Sequence, residues 1–234
     1  MLNVPPAVTG TLAVMATVHG VRELILSDRT DSNFLLWFSF IPARYEAVAA
    51  ASDGPLGLGP KIWTFVSYAF IHGDVVHLAI NAVWLLAFGS AVARRFGTLR
   101  FLVFFAVTAA AGAATHLLSH AGAMIPMVGA SAAISGCMAA AVRFAFQGGG
   151  PLGLWRAHDT HAYHVPAAPL RAAVTDPRIF AFLVVWFGLN ILLGLGSLPL
   201  NGGDQQVAWQ AHIGGFLAGL ILFPWFDPVR SAPQ

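Results

Sequence analysis

Charge is scarce in this chain. Only 9% of its 234 residues are charged, against 57% hydrophobic, and the mean hydropathy is +0.72. A soluble domain is about one-quarter charged, so there is too little charge here for a water-facing shell. The composition reads as a polytopic membrane protein. Cysteine is nearly absent. Cys137 stands alone, which excludes an intramolecular disulfide and a cysteine-based metal centre, and it reads as a helix-packing residue. The net charge of +2 is too small to imply a nucleic-acid partner. The basic residues are better read as topology signals. No basic n-region precedes the first apolar segment, so that segment is expected to remain as a helix and not to be removed as a signal. What is plentiful is glycine (24 residues) and alanine, the small side chains that let membrane helices pack closely.

A membrane span needs about 20 apolar residues at 1.5 Å each. Six segments qualify, at about 7–26, 74–94, 99–119, 130–147, 178–197 and 206–225, giving an all-α, six-span bundle in one domain covering 1–234. Pro5-Pro6 opens the first span. Asp74 is a candidate N-cap for the second. Asp176-Pro177 is a cap-then-proline start for the fifth. Pro224 and Pro228 stop the sixth. Residues 27–61 read as a long loop whose Phe34–Phe40 patch is too short to span and too apolar to be solvated. It is expected to lie in the membrane interface. Residues 148–177 read as irregular, and 198–205 as a short connection. The 2–3 connection, the 4–5 connection with its flanks, and the tail carry eight basic residues. The opposite side carries four, diluted by five acids. By the positive-inside rule both termini are cytoplasmic.

That orientation gives depth to three polar motifs. His77 and Asn81 lie near the start of span 2, Ser131 at the start of span 4, and His212 about six residues into span 6. All four fall in the outer third of the bilayer. Ala211, Gly215 and Gly219 form one small-residue stripe, and Ala132, Gly136 and Ala140 another. Packing these stripes would bring Ser131 to His212. His77 and Asn81, four apart, share a helix face. Serine with histidine is the minimal kit for nucleophilic acyl transfer. Ser131 would attack a carbonyl with His212 as base. The helix start after Gly129 offers backbone N–H groups for a developing anion, and Asn81 and His77 are suitable extra donors. Asp74 and Asp204 lie only at the rim, so a dyad fits better than a triad. Taken singly, each residue has a plainer reading: Ser131 an N-cap, His212 or His77 a packing residue, Asn81 interhelical glue.

The stretches Phe70-Ile-His72-Gly-Asp-Val-Val-His77-Leu-Ala-Ile-Asn81, Gly129-Ala-Ser131-Ala-Ala-Ile-Ser-Gly136 and Ala211-His212-Ile-Gly-Gly215 resemble the rhomboid family of intramembrane serine proteases, in order and in spacing. The resemblance implies a six-helix core that cleaves transmembrane proteins near their outer end. Ser131 resembles the nucleophile and His212 the base. His77, Asn81 and the Ser131 N–H resemble the oxyanion hole, and His72 a mostly structural histidine. Span 5 would be a lateral gate and residues 198–206 a mobile cap, to which the polar, glycine-rich Asn201-Gly-Gly-Asp204 is suited. The partners implied are transmembrane substrates and membrane lipid, with no cofactor and no metal, in a multi-pass protein of the bacterial inner membrane. Two departures stand out. Ala132 replaces the second glycine of the usual Gly-x-Ser-Gly, where its methyl could crowd the oxyanion hole. Ala93 stands where many relatives carry glutamate.

Other readings fit less well. An inactive rhomboid-like protein that binds transmembrane clients is supported by Ala132 alone. A channel or transporter should show acids or broken helices at mid-depth, and neither is found. His158-Asp-Thr-His161-Ala-Tyr-His164 has ligand-like spacing, yet its proline and glycine flanks favour a solvated loop. His116 and His120 read as interfacial packing or polar contacts.

Overall fold

The computed structural model describes residues 3–46, 54–152, 159–194 and 208–229. They form a helical protein with no strand among the described residues, apart from one isolated bridge between Phe40 and Met127. The helices are α1 (Pro6–Leu24), α2 (Asp28–Phe38), α3 (Leu58–Ser67), α4 (Val75–Trp84), α5 (Ser90–Phe96), α6 (Thr98–Ser119), α7 (Ser131–Val142), α8 (Leu170–Thr175), α9 (Pro177–Gly194) and α10 (Trp209–Phe226). A π-helical turn, Leu85–Gly89, joins α4 to α5, so Val75–Phe96 is one continuous rod. That rod and α6 are the two helices, among the described residues, that are clearly long and apolar enough to cross a membrane.

Local chemistry sets the helix starts. Proline at the first turn opens α1, where its missing N–H costs nothing. Asp74 caps α4, its carboxylate accepting from the His77 N–H at 2.8 Å. Gly97, at φ +79°, turns the chain between α5 and α6. Only glycine takes that conformation readily.

The core is α7, enclosed by α6 and α10. Residues Ala132 to Val142 of α7 are all buried, the mark of a helix with neighbours on every side. The close approach depends on missing side chains. A Cβ on Gly215 would lie 2.7 Å from the Ala132 carbonyl carbon and nearer still to its oxygen. One on Gly219 would lie 2.6 Å from the Gly136 Cα. On the other side, Gly214 is pressed to Thr115 and Ala111 of α6.

Several expectations need correcting. The fourth helix ends at Val142, not near 147, because the chain turns at Arg143–Phe146, where the Arg143 and Phe144 N–H groups bond three residues back. The long loop 27–61 contains α2, capped by Ser27 with Asp28 and Asp31 in its first turn, and runs into α3. The connection 148–177 is not irregular throughout: it holds a 3₁₀ turn at Thr160–His164 and α8. The cap 198–206, with Asp204, and His158 lie outside the described residues.

Four arginines counted as topology signals are buried. Arg44 is 0% exposed and donates to the Ser39, Leu36 and Pro55 carbonyls and to the Thr64 hydroxyl. Burial pulls its pKa below the ordinary arginine value. Arg95 pairs with Asp227 at 2.8 Å and donates to the Tyr163 and Val165 carbonyls. Arg143 donates to the Ala168 carbonyl. Arg22 pairs with Asp31 at 2.7 Å and donates to the His72 carbonyl. Leaving these four out, the basic residues divide six to two between the sides, with the same bias.

Candidate active site

Ser131 is the first residue of α7, and its cap position is Ala130, with no side-chain capping bond. The serine hydroxyl is therefore not occupied as an N-cap. It lies 2.6 Å from the His212 Nε2. His212 sits in the first turn of α10, one residue past Ala211 and three before Gly215. The contact follows from the glycine-to-backbone packing of α10 on α7. Both side chains are half-buried, reachable yet shielded.

The turn before the serine is equally specific. Gly129 has φ +117°, a conformation that side chains rarely adopt, and its N–H bonds to the Tyr68 carbonyl at 3.0 Å. A Cβ there would meet the His77 Nε2 at 2.7 Å. Gly129 thus lets the imidazole of His77 close on the backbone leading into Ser131. The α7 ladder begins with the Ile134 N–H bonding to the Ala130 carbonyl. The helix start therefore presents the donors expected at such a terminus.

Asn81 is buried, and its amide donates one hydrogen to the His77 carbonyl at 2.9 Å. An amide carries two. His72 is fully buried and packs edge-on to His77, ring centroids 5.1 Å apart. The methyl of Ala132 is directed into the core: a Cβ added at Gly112 of α6 would lie 2.5 Å from it. It fills a space that Gly112 leaves open.

The Rhomboid domain family model matches residues 59–226. The chain belongs to the rhomboid family. It is 27% identical to the rhomboid protease GlpG of Yersinia pestis (strain Pestoides F) over 175 residues, 74% of this chain and 50% of that protein. It is 24% identical to the rhomboid protease GlpG of Serratia proteamaculans (strain 568) over 221 residues, 94% of this chain and 62% of that protein. The chain thus spans about half to three-fifths of the length of these curated relatives.

Around Ser131 and His212 stand residues that sequence reasoning passed over. Trp186 of α9 lies beside His212, ring centroids 6.5 Å apart, and stacks on Phe216. Tyr68 donates its hydroxyl to the Ala109 carbonyl while its own carbonyl holds Gly129. Gly112 and His19 carry no local signal. Only the i,i+3 spacing of His19 and Arg22 on an apolar helix could have drawn attention to that face. Among the described residues no group of three or more His, Cys, Asp or Glu could hold a metal ion.

Proposed function

We propose that this rhomboid-family chain is an intramembrane serine endopeptidase, cleaving transmembrane proteins near the outer membrane face with Ser131 as nucleophile and His212 as base. The observation that carries the reading is the 2.6 Å contact between the serine hydroxyl and the imidazole. Ser131 Oγ attacks the scissile carbonyl carbon as its proton passes to His212 Nε2. The carbonyl oxygen becomes an anion, held by the Ser131 N–H, the His77 Nε2–H and the second hydrogen of Asn81. Collapse breaks the C–N bond, and His212 returns the proton to the leaving amine. Water, deprotonated by His212, then hydrolyses the acyl-enzyme and frees Ser131.

The accompanying architecture is a six-span bundle of α1, Val75–Phe96, α6, α7, α9 and α10, with both termini on the cytoplasmic side of a bacterial inner membrane. The six-to-two arginine and lysine bias supports this orientation. The helices α2 and α3 lie in the outer interface among lipid headgroups. Supporting this, Leu58, Ile62 and Trp63 are exposed, and Trp37 stacks on Trp63 at 6.2 Å. His72, Gly129, Ala132 and Gly215 shape the site without entering the reaction. The reading needs no cofactor.

The test is direct. Detergent-solubilised protein should cut a single-span substrate and label with a serine-directed fluorophosphonate. Ser131→Ala and His212→Ala should each abolish cleavage. Cleavage at the parent rate by either variant sinks the dyad. A folded parent that neither cuts nor labels would mark an inactive, client-binding relative.

A further inference from the structure

A second polar cluster lies behind the serine–histidine pair. His19 on α1 is 8% exposed, and His72, between α3 and α4, is 0% exposed. Arg22, three residues after His19 and so on the same face of α1, donates to the His72 carbonyl at 2.7 Å. This contact holds that face of α1 against His72, whose ring meets His77 at 5.1 Å. His19 lies within electrostatic reach of both His72 and His77. Yet the Nδ1 of His19 and both ring nitrogens of His72 are buried with no protein partner among the described residues.

A buried polar atom left unbonded is costly, so three of them disfavour a dry site. The described residues offer no metal-binding group of three or more ligands. A small polar site with two to four nitrogen partners is instead suited to a buried water. We propose that His19, His72 and His77 hold an internal water between α1 and α4, and that His19 is thereby a positioning residue for His77.

The consequence rests on the reading of His77 as an oxyanion donor. The His77 Nε2 faces Gly129, so to donate there it must carry the ring proton. A neutral imidazole has only one, which leaves Nδ1 as an acceptor. The bond made by the second nitrogen decides the tautomer. A water that accepts from His19 or His72 and donates to the His77 Nδ1 holds the proton on Nε2.

The experiment uses the full chain in detergent with His19→Phe, which keeps the ring volume but has no nitrogen, and His19→Gln, which keeps a hydrogen-bonding end. Three quantities are read: kcat and KM on a single-span substrate, thermal stability, and the ¹⁵N ring resonances of His77. His19→Phe should lower kcat about tenfold, a fraction of the loss from deleting a whole oxyanion donor. KM should be unchanged, and the His77 signals should move to mixed tautomers. His19→Gln should restore most of both. A folded His19→Phe with parental kcat and parental His77 resonances overturns the proposal. Should His19→Phe not fold, a parent structure that resolves internal waters decides: a water bonded to His72 supports the site, and none there refutes it. The tautomer readout needs no turnover, so a failure of the protease reading, seen as cleavage that survives Ser131→Ala, is distinguishable from a failure here.

Discussion

The contact between α7 and α10 makes Gly215→Ala the sharpest perturbation of the site. A Cβ at this position would lie 2.7 Å from the Ala132 carbonyl carbon, whereas ordinary contact begins at 3.4 Å. The obstacle is backbone, so it cannot rotate away. Relief requires α10 to withdraw by about 1 Å, more than the 0.7 Å the carbon demands because the oxygen is nearer. His212 is three residues away on the same helix and moves with it. The 2.6 Å hydrogen bond then stretches to about 3.6 Å, beyond useful proton transfer. A displacement of this size costs roughly 10²-fold in rate, and the overpacking about 1–3 kcal/mol in stability. Cleavage of a single-span substrate, with thermal unfolding in parallel, reads both. Gly20→Ala on α1, where an added Cβ meets nothing within 4 Å, serves as control: it should cleave at the parental rate and, if anything, gain about 0.5–1 kcal/mol of helix stability. A Gly215→Ala protein with parental kcat would show that glycine-mediated approach does not set the serine–histidine distance.

Three further outcomes are expected. Gly112→Ala should impair both folding and cleavage, and adding Ala132→Gly should recover part of the loss, since the two methyls compete for one space. A double-mutant cycle measures the coupling, and additive effects would refute the pairing. Ala132→Gly alone should cleave within about threefold of the parent while losing ~1 kcal/mol of helix stability. Asp227→Ala strands the buried Arg95 charge and should cost about 3–5 kcal/mol in denaturant unfolding, with the fluorophosphonate labelling rate of the folded fraction unchanged.

The site's main contact was legible because it depends on periodic features. The stripe Ala211, Gly215, Gly219 and the stripe Ala132, Gly136, Ala140 state which helix faces meet, and Ser131 and His212 ride beside them. The Asp74 cap was legible for the same local reason. What stayed hidden depends on long-range geometry. The fate of the Ala132 methyl is set by Gly112, twenty positions earlier on another helix, and no motif links the two. The fourth helix was read too long because apolar residues continue through Phe144 and Phe146, while the backbone has already turned. Hydropathy reports burial, and burial does not require helix. The loop 27–61 hid its helices because α2 has no buried residue, so no core-facing period marked it.

The scarce charges have a structural logic of their own. Non-helical backbone near a membrane leaves carbonyls without partners, and each is costly unless a donor reaches it. An arginine brings five donors in a rigid fork. Arg44 satisfies the carbonyls of Leu36 in the last turn of α2, of Ser39 just after it and of Pro55 before α3. Arg95 takes those of Tyr163 and Val165, and Arg143 that of Ala168, both along the segment between α7 and α8. Arg22 takes that of His72, just before the Asp74 cap. The buried arginines therefore reach carbonyls at helix ends and in the connections between helices. The helices α7 and α10, which carry Ser131 and His212, satisfy most of their own carbonyls and approach one another through glycine. Buried charge thus holds the connections, while the contact between α7 and α10 is left to small uncharged residues.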